Sequence, residues 1–219
     1  EKILKNFSHL LPFLSAGHTM KKILARMKGF HMNYIGIDLG GTNIKGALVS
    51  EQGEILREHA TETRVDLGPE AIAARIGQVI VQLCEGTDEF AIGGVGVGCP
   101  GTVDDASGIV RFAGNLGFVN FDLRGALRAH TTFPIHLGND ANAAALGEAL
   151  FGCGKGAEST IVVTLGTGVG GGVVLGCKLL TGCTGAASEL GHMVIAEGGE
   201  KCTCGRRGCF ESYSSATAL

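Results

Sequence analysis

Four side chains able to bind a metal ion lie near the end of the sequence, in the stretch GHMVIAEGGEKCTCGRRGCFE (191–211). They are His192, Cys202, Cys204 and Cys209, spaced as H-x9-C-x-C-x4-C. Three cysteines and a histidine are a recognised ligand set of closed tetrahedral zinc sites, which are structural because no position is open to substrate. Thiols that only pack or undergo redox chemistry are the alternative interpretation. The spacing favours a structural Zn²⁺ site.

Two glycine-rich turns between apolar strands have the composition of phosphate-binding loops. In DLGGTNIKG (38–46), the backbone N–H groups of residues 40–42 can point at an anion, and the Asp38 carboxylate can hold Mg²⁺ through water. LGTGVGGG (165–172) is not a Rossmann fingerprint, because no helix follows it, and it lacks the Gly-Lys-Ser/Thr of a P-loop. Either turn alone could be an ordinary hairpin. Together they predict one loop in each of two lobes, clamping the phosphates of a nucleotide.

Asp140, in GNDANAA (138–144), lies where a predicted strand becomes a helix. A carboxylate at a strand end facing a cleft is a good position for a general base, although aspartate is also a favoured helix N-cap. Asn139 beside it offers an amide donor and acceptor to a polyol. Glu189 and His192, three residues apart, would share a face on one helical turn; a capped turn with a solvated acid is the alternative.

Apolar periodicity predicts the elements that position these residues. The predicted strands are 33–41, 42–50, 54–63, 91–98, 134–140, 159–168, 170–176 and a last one in HMVIAEG (192–198). The predicted helices are one from Pro69 to Gly86, then 122–130, 141–152 and one beginning near Phe210. The first three strands form an antiparallel meander. The repeated order of apolar strand, glycine turn and strand after Asp38 and Leu165 predicts two related lobes that face a cleft.

The composition of the 219-residue chain allows a large core, since 45% of the residues are hydrophobic and 18% are charged. A net charge of −3, without a charged tail in the main body, argues against nucleic-acid binding through bulk charge. The apolar stretch FSHLLPFLSAG (7–17) is too short, and too interrupted by Pro12, to cross a membrane. Eight unevenly spaced cysteines in such a chain favour a reducing, cytoplasmic environment over a disulfide scaffold.

Both ends of the sequence differ from the part between them. Residues 1–31 begin with glutamate and are rich in lysine, which predicts an extension outside the functional fold and a natural start near Met32. The other end, YSSATAL (213–219), stops inside a predicted helix without a terminating glycine or proline, so we expect the chain to be cut short there.

In order along the chain, these motifs resemble those of the ROK family (repressors, open reading frames, kinases). DLGGTNIKG is similar to the family's first phosphate motif, GNDANAAALGE to its catalytic segment, LGTGVGGG to its second phosphate motif, and ELGHMVIAEGG with CTCGRRGCFE to its zinc-bearing signature. The resemblance covers about residues 33–219. It implies an α/β fold of the actin/hexokinase/Hsp70-type ATPase class (ribonuclease H-like), with two lobes around a cleft. Residues 32–138 would form the small N-terminal lobe, and 139–219 the start of an incomplete large lobe.

The resemblance also implies a reaction, the ATP-dependent phosphorylation of a hexose at its 6-hydroxyl. The segment CGRRGCFESYSSATAL (204–219) is similar to bacterial glucokinases of the family, which favours glucose. Asp140 would be the base, and Asp38 would help to place Mg²⁺. The sugar would be bound by Gly101, Asn115, Asn139, Asp140, Glu189, His192 and Glu211. The phosphates of ATP would be held by Gly40, Gly41, Thr42, Asn43, Lys45, Gly166, Thr167 and Gly168.

Other functions are compatible with the same motifs. The substrate could be N-acetylmannosamine, N-acetylglucosamine, fructose or allose, because motif spacing does not reveal the shape of the sugar pocket. A sugar-responsive transcriptional repressor is a second possibility, although residues 1–31 are too short for its winged helix-turn-helix. A zinc-bound binding module without catalysis is a third, against which Asp140 and both phosphate loops count. The expected partners are the hexose and ATP, with no nucleic acid or membrane, and the family resemblance predicts a homodimer or homotetramer.

Overall fold

The computed structural model describes residues 31–183 and 185–218, and the elements below lie in those ranges. The strands are β1 (Asn33–Leu39), β2 (Asn43–Ser50), β3 (Ile55–Glu62), β4 (Ile92–Cys99), β5 (Thr102–Asp104), β6 (Ile109–Ala113), β7 (Phe118–Phe121), β8 (Ile135–Asn139), β9 (Ser159–Leu165), β10 (Val169–Leu175) and β11 (Lys178–Leu179). The α-helices are α1 (Pro69–Cys84), α2 (Leu123–Leu127), α3 (Asp140–Leu150) and α4 (Glu211–Ser214). None of these helices has both the length and the apolar character needed to span a membrane. The predicted extension, 1–31, lies outside the described residues except for His31.

A five-stranded mixed sheet forms the centre of the first half, in the order β3-β2-β1-β4-β8. The predicted antiparallel meander of β1, β2 and β3 is confirmed, whereas β4 runs parallel to β1, and β8 runs parallel to β4. The carboxyl ends of β1, β4 and β8 therefore meet at one edge of the sheet. Asp38, Cys99 and Asn139 lie at these ends.

Helix α1 packs against this sheet and supplies much of its core. Its apolar residues recur at helical spacing, so Ile72, Ile76, Val79 and Leu83 are all fully shielded from water. Burying one side chain of this size contributes about 1.5–3 kcal/mol. Gly46 on β2 lets the helix lie close, because a Cβ there would be only 2.5 Å from Val79 Cγ1.

A three-stranded sheet in the order β5-β6-β7 follows β4, and no apolar pattern in the sequence predicts it. β5 has only three residues, too few to show an alternating pattern. In the turn after β5, Asp104 accepts hydrogen bonds from the Ser107 N–H and the Arg111 side chain (3.3 and 2.8 Å). Gly101, just before β5, has φ 83°, and a Cβ there would clash with the Phe112 carbonyl. Only glycine therefore fits at this position.

The third sheet, in the order β11-β10-β9, belongs to the second half of the chain. The predicted hairpin around the second glycine loop is confirmed by the antiparallel pairing of β9 with β10. Helix α3 packs on this sheet, where Ala145, Leu146 and Val174 form a small buried cluster. Gly172 on β10 allows the close approach, since a Cβ there would clash with the Ala145 methyl group.

The prediction of a strand in HMVIAEG (192–198) is wrong. A 3₁₀ turn covers Leu190–His192, and Val194 then makes only a single bridge to the cysteine-rich loop. Val194 is 51% exposed, so the apolar residues that suggested a strand do not face a core. The backbone pairs locally instead: the Ile195 N–H donates to the Gly208 carbonyl (2.8 Å).

Candidate active site

Two carboxylates lie at the edge where the parallel strands end. Asp38 is the last residue but one of β1, and Asp140 directly follows β8 as the first residue of α3. Burial raises the pKa of Asp140 above its ordinary value, against the effect of a hydrogen bond from the Ala141 N–H (2.7 Å). The pKa of Asp38 is also raised, first by burial and then by the negative charge of Asp140. The two groups therefore interact in a site partly shielded from water.

Asn139, and not Asp140, caps the amino end of α3. Its Oδ1 atom accepts a hydrogen bond from the Asn142 N–H (3.0 Å), and its Nδ2 atom donates to the Gly101 carbonyl (3.1 Å). The interpretation of Asp140 as the helix cap is therefore wrong, because its neighbour already fills that position. The same contacts bring Gly101, one of the predicted sugar-binding residues, to the start of the helix.

In the first glycine turn, carbonyl groups accept hydrogen bonds from the protein, whereas two N–H groups have no acceptor among the described residues. The Thr63 hydroxyl donates to the Gly40 carbonyl (2.6 Å), and the Thr63 N–H donates to the Thr42 carbonyl (2.8 Å). Across residues 31–183 and 185–218, the N–H groups of Gly41 and Thr42 have no hydrogen-bond partner. A turn of this polarity is suited to binding an anion. Thr63 is completely buried, and no local pattern in the sequence indicates its role.

The second glycine loop has the same polarity. The Gly166 N–H donates to the Gly168 carbonyl (3.0 Å), and the Gly166 carbonyl accepts from the Ala216 N–H (2.8 Å). The Thr167 carbonyl accepts from the Thr217 hydroxyl. The N–H groups of Thr167 and Gly168 find no acceptor in the described part of the chain. Each loop thus leaves two adjacent N–H groups free for a ligand.

The four predicted metal ligands converge. One atom each from His192, Cys202, Cys204 and Cys209 forms a group in which all pairs lie within 4.8 Å. The sulfur atoms of Cys204 and Cys209 are 3.7 Å apart, and the Cys202 sulfur is 3.7 Å from His192 Nδ1. Ligands in a tetrahedron at zinc distances are about 3.5–3.8 Å apart. The cluster therefore fits a zinc ion, with His192 offering Nδ1.

Glu211 connects this group of four side chains to the second glycine loop. Its Oε2 atom accepts from the Val169 N–H (2.9 Å), and its Oε1 atom accepts from the Thr203 hydroxyl (3.1 Å). A Cβ at Gly168 would lie 2.5 Å from Oε2, so a side chain there would disturb the link. Val169 and Thr203 are positioning residues for Glu211. No sequence pattern identifies them, because they lie 42 and 8 residues from Glu211 in the chain.

The remaining predicted residues make fewer contacts. Asn115 lies beside the first glycine turn, since a Cβ on Gly41 would be 3.4 Å from its Nδ2 atom. Glu189 is exposed just before the 3₁₀ turn, and Asn43 and Lys45 are exposed on β2. Within the described ranges, no hydrogen bond or ion pair joins the side chains of these three residues to the rest of the site.

Gly191→Ala is expected to lower the free energy of unfolding by about 1–3 kcal/mol, the usual cost of overpacking. Gly191 is buried in the 3₁₀ turn, and a Cβ there would clash with the Val169 carbonyl. Urea denaturation measures the change. Gly166→Ala is the matched control, because no atom lies within 4 Å of its Cβ position. Equal losses in the two variants would contradict the packing described.

The sequence and the fold of this chain are similar to those of known proteins. The sequence profile of the ROK family matches residues 34–219. The glucokinase of Thermotoga maritima is 44% identical over 189 residues, which are 86% of this chain and 59% of that protein. The xylose repressor of Bacillus subtilis is 34% identical over 188 residues, which are 84% of this chain and 48% of the repressor.

A solved structure gives the corresponding match in three dimensions. The ROK family glucokinase from Streptomyces griseus, in complex with glucose and AMPPNP, matches with a TM-score of 0.76 and 39% identity, over 85% of this chain and 58% of that one. The chain thus spans less than two thirds of the length of these relatives. The match confirms the predicted α/β fold of the actin/hexokinase ATPase class. With the family profile matched from residue 34 onwards, the chain belongs to the ROK family.

Proposed function

We propose that this chain carries the sugar-binding and phosphate-binding machinery of an ATP-dependent kinase that phosphorylates glucose at its 6-hydroxyl. The observation that carries the proposal is the pair of glycine loops, each with two free adjacent N–H groups, beside the half-buried Asp140. Gly170, just after the second loop, packs against the start of α3, since a Cβ there would be 2.8 Å from the Ala141 Cβ. The 44% identity to a glucokinase supports glucose as the substrate.

Asp140 is proposed to accept the proton of the 6-hydroxyl as it attacks the terminal phosphate of ATP. Phosphoryl transfer depends mainly on positioning and on stabilisation of charge, and N–H groups fixed in a loop supply both to phosphate oxygens. The Thr63 contacts with Gly40 and Thr42 hold the first loop in that orientation.

The sugar is proposed to lie between Asp140 and the candidate zinc site. With Nδ1 of His192 directed to the cluster, its Nε2 atom is left for a sugar hydroxyl. Glu211 is held through the Val169 N–H, the Thr203 hydroxyl and, at 3.8 Å, the Cys202 thiol, and its Oε2 atom keeps a lone pair for a further donor. Gly101, Asn115, Asn139 and Glu189 are proposed to complete the sugar pocket.

Two metal ions are part of this proposal. Zn²⁺ would be structural, held by the four ligands of the cluster. Asp38 would hold Mg²⁺ through water. Burial and the Asp140 charge raise the pKa of Asp38, so a neighbouring cation would stabilise its ionised form. Mg²⁺ supplies neutralisation of the charge on the phosphates when it is bound with ATP.

A sugar-responsive regulator without catalysis is the second candidate, because the chain is 34% identical to a xylose repressor. Such a protein would bind sugar without turning over ATP. A cytoplasmic location is proposed because none of the eight cysteines, all of which lie in the described ranges, forms a disulfide, which suits a reducing compartment. A homodimer or homotetramer stays a prediction, which light scattering tests.

The proposal predicts an acid limb in the pH profile of kcat/KM with an apparent pKa above 3.8, the ordinary value for aspartate. Asp140 accepts a proton only when ionised, so activity is lost as the pH falls through its pKa. Because burial raises that pKa, the loss begins at a higher pH than for an exposed aspartate. An acid limb at 3.8 or below would contradict the assignment of a buried base.

A coupled assay of ADP release tests the proposed function. The sugars are glucose, mannose, N-acetylmannosamine, N-acetylglucosamine, fructose and allose. We expect ADP release that requires sugar, with the highest kcat/KM for glucose. Sugar binding by calorimetry without ADP release from any sugar would favour the regulator instead.

A further inference from the structure

A cavity of about 700 Å³ lies at the opposite end of β8 from Asp140. His136, on its wall, precedes Asp140 by four residues, a distance of about 13 Å along an extended strand. The cavity is therefore separate from the proposed active site. Its polar lining consists of Asp105, Arg124, Arg128, Thr131, Thr132 and His136.

Asp105 organises this lining. Its Oδ1 atom accepts from the Leu137 N–H (2.8 Å) and from the Arg124 guanidinium, and its Oδ2 atom lies 3.3 Å from His136 Nδ1. Burial opposes ionisation, but the hydrogen bonds from His136 and the Leu137 N–H lower the pKa of Asp105 below its ordinary value. Asp105 is thus an ionised anchor whose two oxygens are both occupied by the protein.

The guanidinium groups near Asp105 are not fully hydrogen-bonded within the described residues. Arg128 is exposed, and none of residues 31–183 and 185–218 forms a hydrogen bond or ion pair with its side chain. Arg124 contacts Asp105 through one terminal nitrogen, and its buried Nε atom has no partner in the same ranges. Two guanidinium groups against one carboxylate leave the lining with a net positive charge even when His136 is neutral.

We propose that this cavity binds the phosphate group of a small phosphate monoester. Guanidinium groups match phosphate oxygens in pairs of charge-assisted hydrogen bonds, and the hydroxyls of Thr131 and Thr132 can add further donors. Phe133, Pro134 and Ile135 form an apolar part of the wall, on which the organic part of the ligand would pack. The volume lies within the range of about 300–1,000 Å³ that small-molecule sites occupy. This site is independent of the proposed kinase function.

Nuclear magnetic resonance of the histidine rings tests the proposal without measuring activity. The His136 ring signal, assigned by its loss in His136→Asn, is followed while inorganic phosphate or phenyl phosphate is added. We expect a saturable shift of this signal with both probes, and several-fold tighter binding of phenyl phosphate because its ring packs on the apolar wall. Binding to the glycine loops does not produce this shift, because the loops lie at the other end of β8.

Arg128→Gln is the test variant, and it is expected to lower the affinity for both probes about tenfold or more. Arg128 is exposed and without a described partner, so its loss does not remove a contact that holds the fold. Lys155→Gln is the matched control, since it removes one exposed positive charge elsewhere and should leave the shift unchanged. The proposal is overturned if His136 does not respond, if Arg128→Gln binds as the parent does, if both variants weaken binding equally, or if phenyl phosphate binds no tighter than inorganic phosphate.

Discussion

Asp140→Asn is expected to lower kcat for sugar phosphorylation by about 10²–10⁴-fold, the usual contribution of a positioned general base. Asparagine has nearly the same shape but cannot accept the hydroxyl proton. Affinity for glucose should stay within about threefold, because the amide still accepts a sugar hydroxyl. Coupled ADP release gives kcat, and calorimetry gives the affinity for glucose.

The fold should survive this substitution. Asn139 is the cap of α3, so Asp140 is not needed to start the helix. Burial raises the pKa of Asp140, which means that its ionised form costs stability once the pH is above that pKa. At neutral pH, Asp140→Asn is therefore expected to unfold at a urea concentration no lower than the parent does.

Asp122→Asn is the matched control. Asp122 caps α2 and accepts from the Gly125 N–H (2.8 Å), so it is also an aspartate at a helix start. Asparagine caps helices about as well as aspartate, and we expect unchanged kcat. Turnover close to that of the parent in Asp140→Asn would remove the assignment of the base.

Cys209→Ser is expected to abolish stoichiometric zinc binding and to weaken glucose binding about 10–100-fold. Cys209 is completely buried, and its sulfur lies 3.7 Å from that of Cys204. Without the ion, the loop that fixes His192 and Glu211 loses its main constraint. Because the binding free energy of a structural zinc ion contributes to folding, stability should also fall by several kcal/mol.

Metal content by mass spectrometry, glucose affinity and urea denaturation measure these effects. Cys153→Ser is the matched control, since Cys153 is an exposed thiol outside the cluster. It should keep about one zinc per chain. If the parent holds no zinc, or if Cys209→Ser keeps both metal and affinity, the structural role of the cluster is refuted.

The sequence predicts the elements whose signals are local. The meander, α1 and the hairpin of β9 and β10 are confirmed because each has an apolar period or a glycine turn within its own residues. The four candidate metal ligands could also be named from spacing, and their ligand atoms do lie together. Metal-ligand chemistry restricts residue types so strongly that position in the chain is nearly sufficient.

The parts that the sequence does not predict depend on distant contacts. HMVIAEG has the composition of a strand, but its backbone pairs with the cysteine-rich loop, which the apolar pattern cannot indicate. Asn139 rather than Asp140 caps α3 because its amide also reaches the Gly101 carbonyl, 38 residues away. Thr63 supports the first glycine turn from the end of β3, and buried threonines are too common to reveal such a role.

The proposed function requires that a phosphoryl group passes from ATP to a sugar held beside Asp140. Phosphorus magnetic resonance of the protein with ATP, Mg²⁺ and glucose tests it most directly, because it identifies both products. We predict equal amounts of ADP and a phosphate monoester at the glucose 6-position, both formed about 10²–10⁴-fold more slowly with Asp140→Asn. ADP accompanied by inorganic phosphate, or ATP left unchanged while glucose is bound, would contradict the account.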